Sequence, residues 1–139
     1  MKLTDIKLSI KPVAKSDFRF LYDLLSHRKP TENISHKKMP TYRSHEKFII
    51  SKPYSKWYII NFNNQKIGSV YLSKMNEIGI HLKDKKYENQ FGQIISIIKK
   101  KNPRSRYLIN INPKNKAFRK IIEKNNFKLI QHTYELIEK

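Results

Sequence analysis

Between residues 57 and 82 three stretches rich in β-branched and aromatic side chains, WYIINF, KIGSVYL and EIGIHL, follow one another with only short polar turns between them. Asn63-Asn64 and the run 74–76 leave no room for a crossover, so the three stretches pair antiparallel as a meander. Three antiparallel strands make the body of a sheet. Its apolar residues need helices packed on them, and the flanking sequence has to supply those.

It does so with few ambiguities. Residues 7–13 alternate as a first strand until Pro12 ends it. Ser16 or Asp17 then caps a helix whose Phe18, Leu21, Tyr22 and Leu25 fall at i, i+3, i+4 and i+7, stopping before Pro30. The run 29–42, KPTENISHKKMPTY, has two prolines and no period and reads as an irregular loop. A short helix over 44–50 leads into the meander. After a lysine-rich turn, Phe91, Ile94, Ile95 and Ile98 repeat the helical spacing up to Pro103. Residues 107–112 read as a strand, Asn115 caps a helix that turns Phe118, Ile121 and Ile122 inward, and 127–131 and 133–137 read as two closing strands. The expected order is β-α-α-β-β-β-α-β-α-β-β, a single α/β domain over residues 1–139 with a mixed sheet.

Composition bounds the chemistry. The chain lacks cysteine, which removes disulfides, thiolate metal sites and a cysteine nucleophile together. His36 and His45 have no carboxylate or cysteine at a spacing that completes a metal site, so no metal is expected. The first ten residues lack the apolar core of a signal peptide and no later run is long enough to span a membrane, so the expected location is the cytoplasm. A net charge of +19 predicts attraction to polyanions, whether nucleic acid, anionic lipid or a phosphorylated small molecule, without choosing among them. Lysines outnumber arginines 24 to 6 and are scattered along the whole chain. That pattern is a solvated surface more than a dedicated nucleic-acid face.

The element order, together with "IKPVAKSDFRFLYDLL", "IGSVYL", "NEIGIHL" and "INPKNKAFRKIIEKNNFKLI", resembles the GCN5-related N-acetyltransferases, the GNAT enzymes, over nearly the entire chain. The strings "NISHKKMP", "SHEKFI", "KWYII" and "YLININPKN" add a similarity to small GNAT proteins associated with surface-sugar biosynthesis. The resemblance implies transfer of an acetyl group from acetyl-coenzyme A to a primary amine, with a nucleotide-linked amino sugar as the first expected acceptor. Acetylation of a protein amine, or a catalytically degenerate fold that binds coenzyme A or nucleic acid, are the alternatives. The partner is then a small-molecule amine, and the protein a monomer or homodimer.

The same resemblance assigns sites. The coenzyme's pyrophosphate falls to the turn after the fourth strand, with Leu82, Lys83, Asn89, Gln90, Phe91, Gly92, Gln93 and Asn115 as contacting positions. That turn keeps one glycine, Gly92, where the family pattern has several; Lys83, Lys85 and Lys86 offer compensating charge, and Glu88 the wrong sign. Asn126 stands where the family has a glycine, and Ile122 where it often has a proton-donating tyrosine. Either Tyr134 or Tyr71 then supplies the proton, or solvent does, since a thiolate with a pKa of about 8.5 leaves without much help. Alternation puts Glu77, Gly79 and His81 on one face of the fourth strand, which suits Glu77 as base and His81 as relay, with Gly79 open to a ligand. Asn33, Ser35, His36 and Met39 in the irregular loop, with Tyr54, are the expected acceptor contacts.

Overall fold

A computed structural model describes residues 7–28 and 38–138. One five-stranded sheet runs in the order β1-β2-β3-β4-β5, formed by β1 (Leu8–Pro12), β2 (Lys56–Phe62), β3 (Gln65–Leu72), β4 (Glu77–Leu82) and β5 (Leu108–Ile109). The first four strands are antiparallel neighbours and β5 lies parallel to β4. Helices α1 (Phe18–Ser26) and α2 (Tyr42–Ile50) separate β1 from β2, α3 (Phe91–Lys101) crosses from β4 to β5, and α4 (Lys116–Lys124) follows.

Strand alternation decides which helix covers which face. Ile59 of β2 packs with Phe18, Leu21 and Leu24 of α1 and Ile49 of α2. Its neighbours Tyr58 and Ile60 turn the other way, joining Val70, Leu72 and Ile78 against Phe91, Ile94 and Ile98 of α3 and Ile122 of α4. The sheet is therefore filled on both sides. Ile60, Ile67, Ile94 and Ile98 are wholly buried, each contributing roughly 1.5–3 kcal/mol of transfer free energy. Among the described residues no helix is long and apolar enough to cross a membrane.

Asparagine does the work of glycine at the turns. Asn63, Asn64, Asn76 and Asn126 hold left-handed φ values of 51°, 66°, 66° and 73°, while no glycine has a positive φ. At the helix starts, Thr41 Oγ1 accepts from Ser44 N–H at 3.1 Å, so α2 begins at Tyr42, ahead of the expected 44. Asp17 stands at the N-cap of α1, as expected, but its side chain makes no capping hydrogen bond to that helix. Its carboxylate instead accepts from Ala14 N–H at 2.8 Å and pairs with Lys66 Nζ at 2.6 Å, tying the start of α1 to β3.

Two other expectations need correction. The strand expected over 107–112 is reduced to Leu108–Ile109, because that is as far as the chain keeps pairing distance from β4. The closing strands over 127–131 and 133–137 do not form. Asn126 makes the expected left-handed turn and the Phe127 ring packs on Phe91 at 6.2 Å, but residues 128–138 are exposed and join no ladder. Alternating apolar residues favour a strand only where an edge receives them.

The turn before β4 gives a stability test. Arg104 Nη1 donates to Asn76 Oδ1 at 2.9 Å and to Ser73 O at 3.2 Å. Asn76→Ala is expected to cost about 1–2 kcal/mol of left-handed strain in addition to the lost hydrogen bond. Asn76→Gly keeps the turn and is expected to cost only about 1 kcal/mol in urea unfolding. Equal losses for the two variants would mean that the Arg104 bond, and not the backbone, sets the cost.

Candidate active site

β4 and β5 pair only through Glu77 with Leu108 and Ile78 with Ile109, and then part. The register shows what the parting leaves behind. Ser73 N–H donates to Glu77 O and Lys83 N–H to Ile67 O, both at 2.8 Å, so the odd-numbered residues of β4 spend their backbone groups on β3. The N–H and C=O of Ile80 and Leu82 point the other way, into the gap where β5 has diverged. Ile80, His81 and Leu82 form one wall of this cleft, and Ile111, Asn112, Asn115 and Phe118 the other. Arg28, at the end of α1, and Asp84, Lys85 and Glu88, ahead of α3, complete its rim.

His81 lines the cleft as a neutral imidazole. Burial, and secondarily the Arg28 charge, bring its pKa down from 6.5 to about 3. It therefore carries no charge at neutral pH and offers a lone pair. Across β3, Tyr71 sits opposite Gly79, and a Cβ on Gly79 would overlap the Tyr71 ring. The expectation that Gly79 opens the strand to a ligand is thus corrected: it makes room for a tyrosine. Tyr71 stacks on Tyr54 with ring centres 3.7 Å apart and planes 4° from parallel, and Trp57 meets Tyr54 edge-on at 4.9 Å. Burial pushes both phenols up, aided at Tyr54 by Tyr71 and at Tyr71 by Glu77, so both stay protonated donors.

Glu77 stands at the closed end of the cleft. Its carboxylate accepts from Ser73 Oγ at 3.0 Å and from Asn110 Nδ2 at 2.7 Å, which ties the β3–β4 turn to the end of β5. Four residues along the strand separate it from His81, roughly 13 Å. One water does not bridge that distance.

The glycine-poor turn has its own solution. Lys85–Gln90 forms a 3₁₀ turn that needs no left-handed residue, and the Asp84 carboxylate accepts from Lys86 N–H at 2.9 Å at its start. Asp84 thus supplies, from within the chain, the anion that such an N-terminus attracts. Lys83 and Lys86 place their ammonium groups 6.0 Å and 5.2 Å from the centre of the Tyr87 ring, and of the three lysines only Lys85 lines the cleft.

The expected cofactor contacts therefore separate. Leu82 and Asn115 line the cleft, Asn115 while capping α4 through Phe118 N–H at 3.2 Å. Asn89 and Gln90 belong to the 3₁₀ turn, and Phe91 is core at 1% exposure. Gly92 and Gln93 line a different groove of about 600 Å³, with Lys7 and Ser9 beside β1, and a Cβ on Gly92 would come within 2.9 Å of Asn125 Oδ1. Gly92 serves helix packing. Tyr134 is 88% exposed in the C-terminal segment and does not reach the cleft. Met39 is exposed, and Asn33, Ser35 and His36 lie outside the described residues. Sequence reasoning missed Arg28, for which nothing local signals a site, and Asp84, whose place just before a helical pattern is a cap signal.

His81 gives a pH test. Its depressed pKa means the unfolded chain binds the extra proton between about pH 6.5 and 3, so stability present above 6.5 is lost as pH falls through that window. The imidazole signals of His81 are expected to stay in the neutral form at pH 5 in NMR. The His81→Gln variant is expected to lose less stability than the parent between pH 6.5 and 4. A His81 that titrates near 6.5 would refute the assignment.

No family model and no curated protein matches this chain. Solved structures do. A domain from Methanocaldococcus jannaschii superposes with a TM-score of 0.76 at 22% identity, covering 94% of each chain. A spermidine N-acetyltransferase from Vibrio cholerae gives 0.70 at 14% identity, over 94% of this chain and 84% of its own. The ribosomal-protein α-N-acetyltransferase RimL, in complex with coenzyme A, gives 0.66 at 16% identity, over 89% and 81%. The mixed sheet, its four helices and the parting of β4 from β5 have the GNAT fold.

Proposed function

We propose that the protein moves an acetyl group from acetyl-coenzyme A to a primary amine in the cleft between β4 and β5. The observation that carries this reading is the pair of outward-facing backbone positions at Ile80 and Leu82 beside a neutral His81. In the proposed reaction the amine nitrogen attacks the thioester carbonyl, the C–N bond forms, and the C–S bond breaks. The carbonyl oxygen gains charge as this happens, and an outward-facing N–H of Ile80 or Leu82 stabilises it. The surroundings that keep His81 neutral act in the same direction on an ammonium group beside it, favouring the nucleophilic free amine. His81, held neutral, accepts a hydrogen bond from the amine and orients it, and the departing proton passes on to water. The coenzyme thiolate, with a pKa near that of a free thiol, about 8.5, takes its proton from solvent, since Ile122 is a buried isoleucine.

Similar folds serve spermidine N-acetyltransferase, an aminoglycoside acetyltransferase and a ribosomal-protein α-N-acetyltransferase. The fold thus accepts amines of several kinds. A nucleotide-linked amino sugar remains the first acceptor to try, supported by the sequence resemblance. A second reading, a noncatalytic polyanion binder, is motivated by the net charge of +19 and by the carboxylate of Asp84 at the start of the turn.

Acetyl-coenzyme A is expected to raise the melting temperature saturably, and Asp84→Asn, which keeps the cap but removes a charge facing the pyrophosphate, to tighten binding several-fold. His81→Ala is expected to lower kcat on a panel of amines by about 10²-fold or more. No melting shift with acetyl-coenzyme A, together with nucleic-acid binding that weakens steeply with salt, would favour the second reading.

A further inference from the structure

We infer that the acceptor is an amine with an oxygen on the neighbouring carbon and no second positive charge, and that the hydroxyl of Tyr71 reads that oxygen. The inference rests on the acetyl transfer proposed above for the place of the amine, beside His81. The face of β4 that carries His81 also carries Gly79 and Glu77. Tyr71 crosses from β3 and lays its ring over Gly79, with its hydroxyl 2.5 Å from where a Cβ on Gly79 would stand. Tyr54 stacks on that ring at 3.7 Å, and Phe48 and Trp57 meet Tyr54 edge-on at 6.0 Å and 4.9 Å. Aromatic packing thus holds the ring in place, whereas the Tyr71 hydroxyl has no hydrogen-bond partner among the described residues. A half-buried phenol that stays protonated and unpartnered is a donor held ready for an oxygen. Two residues along one face of a strand span roughly 7 Å, of which two hydrogen bonds of about 3 Å each take up most. A nitrogen at His81 and an oxygen at Tyr71 therefore sit on adjacent carbons.

Charge on this face opposes a second ammonium group. The Arg28 charge acts on His81, Tyr71 and Tyr54 alike, and burial together with that charge keeps even His81 without a proton. The carboxylate on the face, Glu77, is already bound at both oxygens, by Ser73 Oγ at 3.0 Å and by Asn110 Nδ2 at 2.7 Å. The rim carboxylates Asp84 and Glu88 come after β4 has ended, Asp84 roughly 16 Å along the chain from Gly79. A polyamine laid against Tyr71 therefore brings ammonium groups that find, among the described residues of this face, no carboxylate that is not already bound. An uncharged oxygen beside a single amine meets no such cost, and it supplies the acceptor that the Tyr71 hydroxyl lacks.

The test gives the full chain acetyl-coenzyme A and three amines: glucosamine, which has the neighbouring oxygen, cyclohexylamine, which has a ring without it, and spermidine, which is polycationic. The expected order of kcat/KM is glucosamine, cyclohexylamine, spermidine, with about 10-fold or more between the first and the last. Tyr71→Phe keeps a ring over Gly79 and is expected to lower the glucosamine-to-cyclohexylamine ratio about 5- to 10-fold, mainly through KM. Spermidine used as well as glucosamine, or a ratio that Tyr71→Phe leaves unchanged, overturns the inference while acetyl transfer itself stands. Turnover of none of the three amines would count against the proposed reaction, and binding then decides the inference separately. Glucosamine added with coenzyme A is expected to shift the ring signals of Tyr71 in NMR, and spermidine is not. No shift with glucosamine, or an equal shift with spermidine, overturns the inference.

Discussion

The two-residue parallel pairing of β4 with β5 is the constraint from which the candidate site follows. A parallel neighbour cannot be reached by a tight turn, so the chain must cross over the sheet, and α3 does so, with Asp84, Lys85 and Glu88 ahead of it at the rim of the gap. β4 is already committed to β3 along its whole length through its odd-numbered residues. When β5 turns away after Ile109, the backbone groups of Ile80 and Leu82 are therefore left directed at a cleft and not at a strand. Backbone groups in such a position are costly unless something polar occupies the gap, which is why a parting of strands inside a packed sheet marks a place for a ligand.

The electrostatics of the cleft are balanced more finely than the chain's charge suggests. Arg28 and Lys85 stand at the rim with Asp84 and Glu88, two charges of each sign. Lys83 and Lys86, which the sequence offers as additional cations, are engaged with Tyr87. The cleft thus has no large excess of positive charge with which to hold a polyanion. What it has is direction: a neutral imidazole, a guanidinium behind it, and outward-facing amides. Such an arrangement acts on a specific atom at short range.

Much of this was legible in the sequence where local chemistry and packing agree. The meander was fixed by its short turns and the asparagines within them, and Asn63, Asn64, Asn76 and Asn126 take the conformations their residue type tolerates. The inward stripe of α3 could be read from the spacing of Phe91, Ile94, Ile95 and Ile98, all buried. A family pattern is a poorer guide at the glycines. Gly92 matches a phosphate-loop glycine in register but packs against Asn125, and Gly79 makes room for Tyr71. A glycine in a sequence says that a side chain is absent there. It does not say whether a ligand, a helix or a ring fills the space.

The closing strands show the complementary limit. Residues 128–138 have the composition of a strand, yet a strand is a property of a pair, and the sequence of one member does not say where its partner lies. The same holds for the net charge. A total of +19 is summed over the whole surface, whereas binding responds to the potential at one place. At the cleft that potential is set by a few groups, of which Arg28 comes from the end of α1 and Asp84 from the end of β4. Both are far apart in sequence and adjacent only because the sheet brings its first helix and its fourth strand to the same edge of the gap. In the proposed function the chemistry therefore rests less on the abundant lysines than on a small set of residues that the parting of two strands assembles.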